Sequence, residues 1–338
     1  MALDRTADTE RRLEAHRTEL IAYCYRMLGS PFEAEDAVQE TLLRGWRALD
    51  RFEERAALRS WLYRIATNVC LDMLSGRERR ARPMDLGPAR SPDAANLHVL
   101  PEALWVQPVP DSVVAPEGDP ADVAVARESI RLAFIAALQH LPPRQRAVLV
   151  LCEVLRWHAA EVAELLETTV ASVNSALQRA RATLASAKVT AGDPSPPLSD
   201  ADRALLTRYV DAFQRYDISA LTALIHEDAT QSMPPYDLWL RGRDDIFSWW
   251  LGPGSGCRGS RVVPTVGANG LPAFAQYKPS ATGPGYEPWA LQVLEVSDGR
   301  IVDLTFFLDT AALFPLFGLP ARLDPQQLGQ AEEAEQRL

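Results

Sequence analysis

Eight prolines fall between Pro83 and Pro120, and they separate two helix-patterned stretches, 33–82 and 141–184. Proline lacks a backbone N–H and clashes with the preceding turn, so no long helix crosses this span. On its N-terminal side, Val38, Leu42, Leu43, Trp46 and Leu49 recur at helical spacing, as do Leu58, Leu62, Ile65, Ala66, Val69 and Met73. Residues 51–57 lack that spacing and read as a loop. On its C-terminal side a helical pattern runs from Val123 through Leu138. Pro142-Pro143 then opens a helix with Val148, Leu151, Cys152 and Leu155 on one face, because proline fits the first helical turn. Two shorter helices are predicted at about 159–166 and 170–186.

A second Pro/Gly/Ser run, 192–197, closes this half. Ser199 is a predicted N-cap, and Leu205, Leu206, Tyr209, Val210, Phe213 and Tyr216 make an amphipathic helix. After about residue 257 the pattern turns strand-like. Residues 289–296 and 300–308 flank Ser297-Asp298-Gly299, a hairpin signal. Helices followed by antiparallel strands predict a multidomain protein, two all-α helical domains and then an α+β domain.

At 338 residues the chain has room for two or three cores. No run of about 18 apolar residues occurs, so no membrane span is predicted. Met1 to Leu20 is charged and lacks the apolar stretch of a secretory signal. Cys24, Cys70, Cys152 and Cys257 form no C-x-x-C pair and no metal spacing. These features predict reduced thiols in a cytoplasmic protein, with no metal and no cofactor. A net charge of −10 argues against a protein that simply coats nucleic acid. The charge is uneven, however. From Arg55 to Arg82 seven arginines oppose two acids, and from Pro83 to Glu128 eight acids oppose two arginines. A basic stretch followed by an acidic one suits a chain that binds nucleic acid only in the right setting.

Residues 156–184 carry a helix-turn-helix pattern. Glu161 to Leu166 form a short helix, Glu167-Thr168-Thr169 a turn, and Val170, Val173, Leu177 and Leu184 the buried face of a second helix. The opposite face carries Ser172, Asn174, Ser175, Gln178, Arg179 and Arg181. Small polar side chains near a helix N-terminus approach a major groove closely, and arginines further along reach phosphates or guanine edges. For this segment alone, an ordinary helical hairpin with a solvated face stays open. In 55–82, Arg59, Trp61, Tyr63 and Arg64 interleave cations with aromatics, and Asn68 lies one turn on. Aromatic faces stack on unpaired bases while arginine tracks the backbone. The alternative is a core Trp61 flanked by solvated arginines. Asp36, Gln39 and Glu40 share the polar side of their helix, where an acidic and amide cluster can dock a basic partner.

Together these residues resemble the extracytoplasmic-function (group 4) sigma factors of the sigma-70 family. The helix of Asp36, Gln39 and Glu40 is similar to the D-x-x-Q-E helix of region 2. That resemblance implies docking on the clamp helices of core RNA polymerase, with Arg44 in the same role. The run Arg59 to Asn68 looks like the part of region 2 that melts and captures the −10 element. The implied −10 contacts are Arg59, Trp61, Arg64, Asn68, Arg77, Arg79 and Arg80, with 50–57 as the loop that accepts a flipped base. Leu141-Pro142-Pro143 with Gln145-Arg146 resembles the opening of region 4, which reads the −35 element and touches the polymerase flap. Ser172, Asn174, Ser175, Gln178, Arg179 and Arg181 then take the −35 role. The resemblance covers about 10–80 and 125–187. Two features depart from the family pattern: Glu167 stands where a turn glycine is usual, and Asn174 and Ala176 stand where Lys and Arg are common. Weaker or altered −35 recognition is expected, because phosphate contacts supply most sequence-independent affinity.

Beyond residue 198 the chain resembles the SnoaL-like cone fold, an extension that some sigma factors carry. Trp249, Trp250, Tyr286, Trp289, Phe306 and Phe307 are candidates to line an apolar pocket, Trp249, Trp250, Trp289 and Phe307 foremost, with core packing as the plainer role. His226 and Asp228 sit at a helix-to-strand corner and read as structural. No nucleophile–base pair stands out, so no catalytic residue is assigned and no enzyme is predicted. The expected organisation is region 2 over 10–82, a Pro-rich acidic linker over 83–122 threading through polymerase, region 4 over 123–190, and a short linker over 191–198. A SnoaL-like domain over 199–322 and a mobile tail over 323–338 follow. The resemblance implies a sigma factor directing promoter recognition and transcription initiation; the short linker, which holds the C-terminal domain at high effective concentration, adds the expectation of regulation in cis by that domain. Core polymerase and promoter DNA are the implied partners, with room for a small ligand in the cone and for a separate anti-sigma factor. Two other readings are a one-component ligand-sensing DNA-binding regulator and a DNA-binding protein fused to a SnoaL-like enzyme. The 33–82 block discriminates, since a repressor needs no polymerase-docking and strand-melting region.

Overall fold

The computed structural model describes residues 10–49, 58–114, 129–186 and 198–324. The predicted loop 51–57, nearly all of the short linker 191–198 and most of the predicted tail lie outside the described residues. The chain divides into two compact units, Met1–Ala81 with Val106–Ser195 and Arg82–Trp105 with Pro196–Leu338.

The first unit is helical: α1 (Arg17–Leu28), α2 (Pro31–Ala48), α3 (Leu58–Leu74), α4 (Leu132–Gln139), α5 (Pro143–Leu149), α6 (Ala159–Leu165) and α7 (Val170–Ser186). Every residue of α1 from Leu20 to Leu28 is buried. The helix stops at Gly29, whose φ of 73° turns its N–H back to the Tyr25 carbonyl at 2.8 Å. Ser30 then caps α2 by accepting the Glu33 N–H at 3.3 Å, with Pro31 in the first turn. The buried face of α2 is Ala34, Ala37, Val38, Thr41 and Gly45. A Cβ on Gly45 would stand 3.2 Å from Leu62, so α2 and α3 meet at a small-residue contact. This corrects the predicted face: Leu43 and Trp46 are 41% and 49% exposed, because the small side chains, not the bulky ones, permit the close approach.

Pro143 enters α5 in the first turn, and the helix widens into a π-helical turn at Val150–Val154. The turn between α6 and α7 holds Glu167 at φ 51°, a region in which L side chains are strained. Val173, Ala180 and Leu184 are buried, whereas Val170, predicted on that face, is 44% exposed.

The span predicted as one linker divides. Val106, Val109 and Val114 are buried in the helical unit, where the Val106 N–H donates to the Ala81 carbonyl at 3.1 Å. Residues 82–105 belong to the second unit. There the Arg90 N–H donates to the Trp239 carbonyl (3.1 Å), the Leu100 N–H to the Pro235 carbonyl (3.0 Å), and the Asp237 N–H to the His98 carbonyl (3.1 Å). Val99 also forms an antiparallel bridge with Tyr236. The prolines limit helix here to the single turn Pro83–Leu86 and two 3-10 turns, and they tolerate such extended pairing.

The second unit comprises α8 (Asp200–Arg215), α9 (Ile218–Leu224), β1 (Ile225–Ser232), β2 (Trp239–Arg241), α10 (Arg243–Leu251), β3 (Arg261–Pro264), β4 (Ala273–Pro279), β5 (Tyr286–Ser297), β6 (Arg300–Phe307) and α11 (Thr310–Leu316). The six strands run in the order β2-β1-β6-β5-β4-β3, with β1 and β6 parallel and every other pair antiparallel. Strands therefore begin earlier than residue 257. β1 was hidden by its polar sequence, in which Gln231 and Ser232 are buried. Ser199 caps α8 by accepting the Asp202 N–H at 3.1 Å. Positive φ at Asp298 (50°) and Gly299 (69°) closes the predicted β5–β6 hairpin, the two-residue turn that matches strand twist. Leu205, Tyr209 and Phe213 of α8 pack with Leu294, Leu304 and Phe306 in one core.

Candidate functional sites

The exposed face of α2 carries Asp36, Gln39 and Arg44, with Glu40 half-buried beside them. The Arg44 Nε lies 2.6 Å from the Glu40 Oε1, and the Gln39 amide donates to Glu35 at 3.1 Å. Leu43 and Trp46 stand among these groups. A helix face mixing acids, an amide and two large apolar side chains suits a protein partner. Periodicity missed the apolar pair by assigning it to the core.

On α3, the Arg59 Nε donates to Glu19 Oε2 at 2.7 Å, and its guanidinium lies 5.2 Å from the Tyr63 ring and 5.4 Å from the Trp157 ring. Burial pushes the Tyr63 phenol well above its ordinary range. Trp157 tilts against Tyr63 at 5.1 Å. Arg64 donates to the Glu164 carbonyl at 3.3 Å and lies 4.0 Å from the Glu167 carboxylate. Exposed Asn68 helps to line a cavity of about 310 Å³ with Arg144, Ser172, Ala176 and Arg179. The structure thus brings Arg59, Arg64 and Asn68 against the segments of the helix-turn-helix. Trp61 is half-buried. Arg77 pairs with Glu33 at 2.5 Å, and Arg79 meets His140 at 2.7 Å. Arg80 is only 7% exposed and stands 2.9 Å from Glu33, so its predicted DNA role is set against a buried ion pair.

Ser172, Asn174, Ser175, Gln178, Arg179 and Arg181 are all exposed on α7. Thr169 caps this helix by accepting the Ser172 N–H at 3.1 Å, and Arg181 pairs with Glu153, its Nε 3.1 Å away.

The second unit holds a cavity of about 250 Å³ with Trp249, Trp250 and Trp289 in its lining. Phe307 and Tyr286 are not among its described lining residues; strand alternation in β6 turns the neighbouring candidate, Phe306, to the cavity. The Trp250 indole is fixed by donation to Gln231 Oε1 at 2.7 Å. Ala94 and Leu97 of the 82–105 segment complete one wall. Lys278 and Cys257 also line the cavity, and no sequence pattern had singled them out as a pair. No Asp, Glu or His is among the described lining residues. Asp303 lies elsewhere, accepting hydrogen bonds from Thr230 and from Thr305 (3.0 Å), and burial raises its carboxyl above the usual range. His226 accepts the Asp228 N–H at 3.1 Å, a local turn at the corner where it was predicted.

The sequence matches the family models Sigma-70 region 2 over residues 13–80, Sigma-70, region 4 over 131–184 and SnoaL-like domain over 206–304. It is 44% identical over 327 residues to the ECF RNA polymerase sigma factor SigG of Mycobacterium tuberculosis, covering 95% of this chain and 86% of that protein. The chain belongs to the extracytoplasmic-function family of RNA polymerase sigma factors. SigJ of the same organism is 28% identical over 302 residues, covering 86% of this chain and 88% of SigJ. The crystal structure of SigJ shares the fold, with a TM-score of 0.59 at 23% identity over 92% of this chain and 99% of that one. In this sigma factor, helical regions 2 and 4 therefore precede an α+β SnoaL-like domain, and a sigma factor directs promoter recognition and transcription initiation. No helix among the described residues is long and apolar enough to cross a membrane.

Proposed function

We propose that this sigma factor acts in the cytoplasm and is controlled in cis by its SnoaL-like domain through the connector 82–105. The observation that carries the reading is the attachment of that connector to the domain. Arg90 pairs with Asp237 at 2.7 Å, and the backbone bonds to Pro235, Asp237 and Trp239 fix the rest. The connector is the chain between regions 2 and 4, which must reach two separate promoter elements. Folding the 24 residues from Arg82 to Trp105 into a domain withholds about 80 Å of extended reach.

On this reading the α2 face with Asp36, Gln39, Glu40, Arg44, Leu43 and Trp46 docks on the polymerase clamp helices. Arg59, Trp61, Arg64, Asn68, Arg77 and Arg79 take the unpaired −10 strand once the segment carrying Trp157 and Glu164 moves away. The exposed α7 face takes the −35 duplex, and region 4 meets the flap. Control from within the chain makes a separate anti-sigma factor dispensable.

The test is transcription by core RNA polymerase on a promoter library. It compares the full chain, a chain ending at residue 195, and the full chain with Asp237→Ala. Truncation and Asp237→Ala should shift output in the same direction. Unchanged output and unchanged polymerase affinity in both would sink the cis-control reading while leaving the family assignment intact.

A further inference from the structure

The cavity of the SnoaL-like domain is apolar in body and cationic at one edge. Phe213, Trp249, Trp250 and Phe306 are all buried in its wall. Its volume of about 250 Å³ is large enough for an apolar body of about eight heavy atoms, at ~30 Å³ per water-sized atom. Among the described residues, the one charged side chain lining it is Lys278, half-buried, with its Nζ 2.9 Å from the centroid of the Trp289 ring. Cys257 is its hydrogen-bond neighbour. Glu287, opposite Lys278 in the β4–β5 register, is engaged with Ser280 at 2.5 Å.

An ammonium partly removed from water, with no ion pair to a carboxylate among the described residues, is held at a cost. Burial accordingly lowers the Lys278 pKa, with Cys257 opposing the shift. Burial also raises the Cys257 thiol, although Lys278 acts against it, so the thiol stays neutral and offers no counter-charge. An anion at this edge would supply the missing partner, and the apolar wall behind it would take a hydrocarbon.

We infer that the cavity binds a small apolar monocarboxylate, its carboxylate on Lys278 and its hydrocarbon body between Phe213, Trp250 and Phe306. Leu97 of the connector stands in the same wall, so the ligand body bears directly on the segment that the domain holds. The inference extends the cis-control reading, but its test needs no polymerase and so succeeds or fails separately.

The test is isothermal titration calorimetry on the full chain with octanoate, 1-octanol and octylamine, which share one hydrocarbon body. Octanoate should saturate at one per chain with a Kd below about 1 mM, octanol should bind about tenfold more weakly, and octylamine more weakly still. Lys278→Met should bring octanoate to the octanol level and leave octanol unchanged, while Lys278→Arg should retain octanoate binding. Thermal unfolding establishes that each variant is folded, and if Lys278→Met is not, the wild-type series of acid, alcohol and amine decides. Equal affinity for acid and alcohol overturns the inference. So does octanoate binding unmoved in folded Lys278→Met, or no saturable heat up to about 1 mM.

Discussion

Replacing Arg146 by methionine should destabilise the helical unit by about 2–4 kcal/mol. Arg146 is 3% exposed. Its Nη1 donates to the Met27 carbonyl and to Gln139 Oε1 (2.6 Å), and its Nη2 donates to the Gln139 and Leu141 carbonyls, each at 3.2 Å. These acceptors sit at the C-terminal ends of α1 and α4, where the helix dipole favours a cation. Burial lowers the guanidinium pKa to about 10, which still leaves it charged at neutral pH. Four charge-assisted bonds at about 1.5–3 kcal/mol each oppose a desolvation penalty of several kcal/mol. Methionine fills the stem volume, removes that penalty and orphans the four oxygens, which leaves the net loss quoted. At about 2–4 °C per kcal/mol for a unit of this size, differential scanning calorimetry should show Tm falling by about 5–15 °C. Arg146→Lys should recover less than half, because an ammonium cannot reproduce the planar fork. A methionine variant as stable as the wild type, or more so, would refute the reasoning, since desolvation would then outweigh the carbonyl cage.

Glu167→Gly should raise stability by about 0.5–1 kcal/mol, read as a higher urea midpoint, because glycine relieves the strain of φ 51° at the α6–α7 turn. Trp46→Glu should leave thermal stability nearly unchanged yet cut affinity for core polymerase at least tenfold (about 1.4 kcal/mol or more), measured by competition binding. Arg179→Ala should weaken −35 duplex binding and reduce the salt slope by about one, read from affinities over a salt series. Asp303 has a folded-state pKa above its unfolded value, so its neutral form is favoured by folding. Its stabilisation is present at low pH and lost as pH rises through the folded pKa. The wild type should therefore gain stability relative to Asp303→Asn as pH is lowered from neutrality into the carboxyl range, in parallel thermal melts.

Much of the candidate site was legible because its signals are local. The polar face of α7, the Asp36 cluster and the Arg59–Asn68 run were read from residue type at helical spacing, and each lies on a helix. The misses have a common cause. Leu43 and Trp46 fit a buried stripe by periodicity, but the core face is chosen by Gly45 meeting Leu62, a contact that no window of α2 contains. Arg80 was expected to face DNA and Arg146 carried no predicted contact, yet both are buried against groups far along the chain. Phe307 and Phe306 are adjacent, and only the strand register says which one faces the cavity.

The sequence by itself determined the main helices of regions 2 and 4, the Ser199 cap, the Asp298-Gly299 hairpin and the order of domains, since each follows from a few neighbouring residues. The tertiary structure decided which faces stay free, that residues 82–105 belong with the SnoaL-like domain, and that Lys278, Cys257 and Leu97 share one cavity. The reason is that local backbone preference is set within a turn or two of chain. Burial and charge pairing are set instead by whatever distant segment the fold brings alongside.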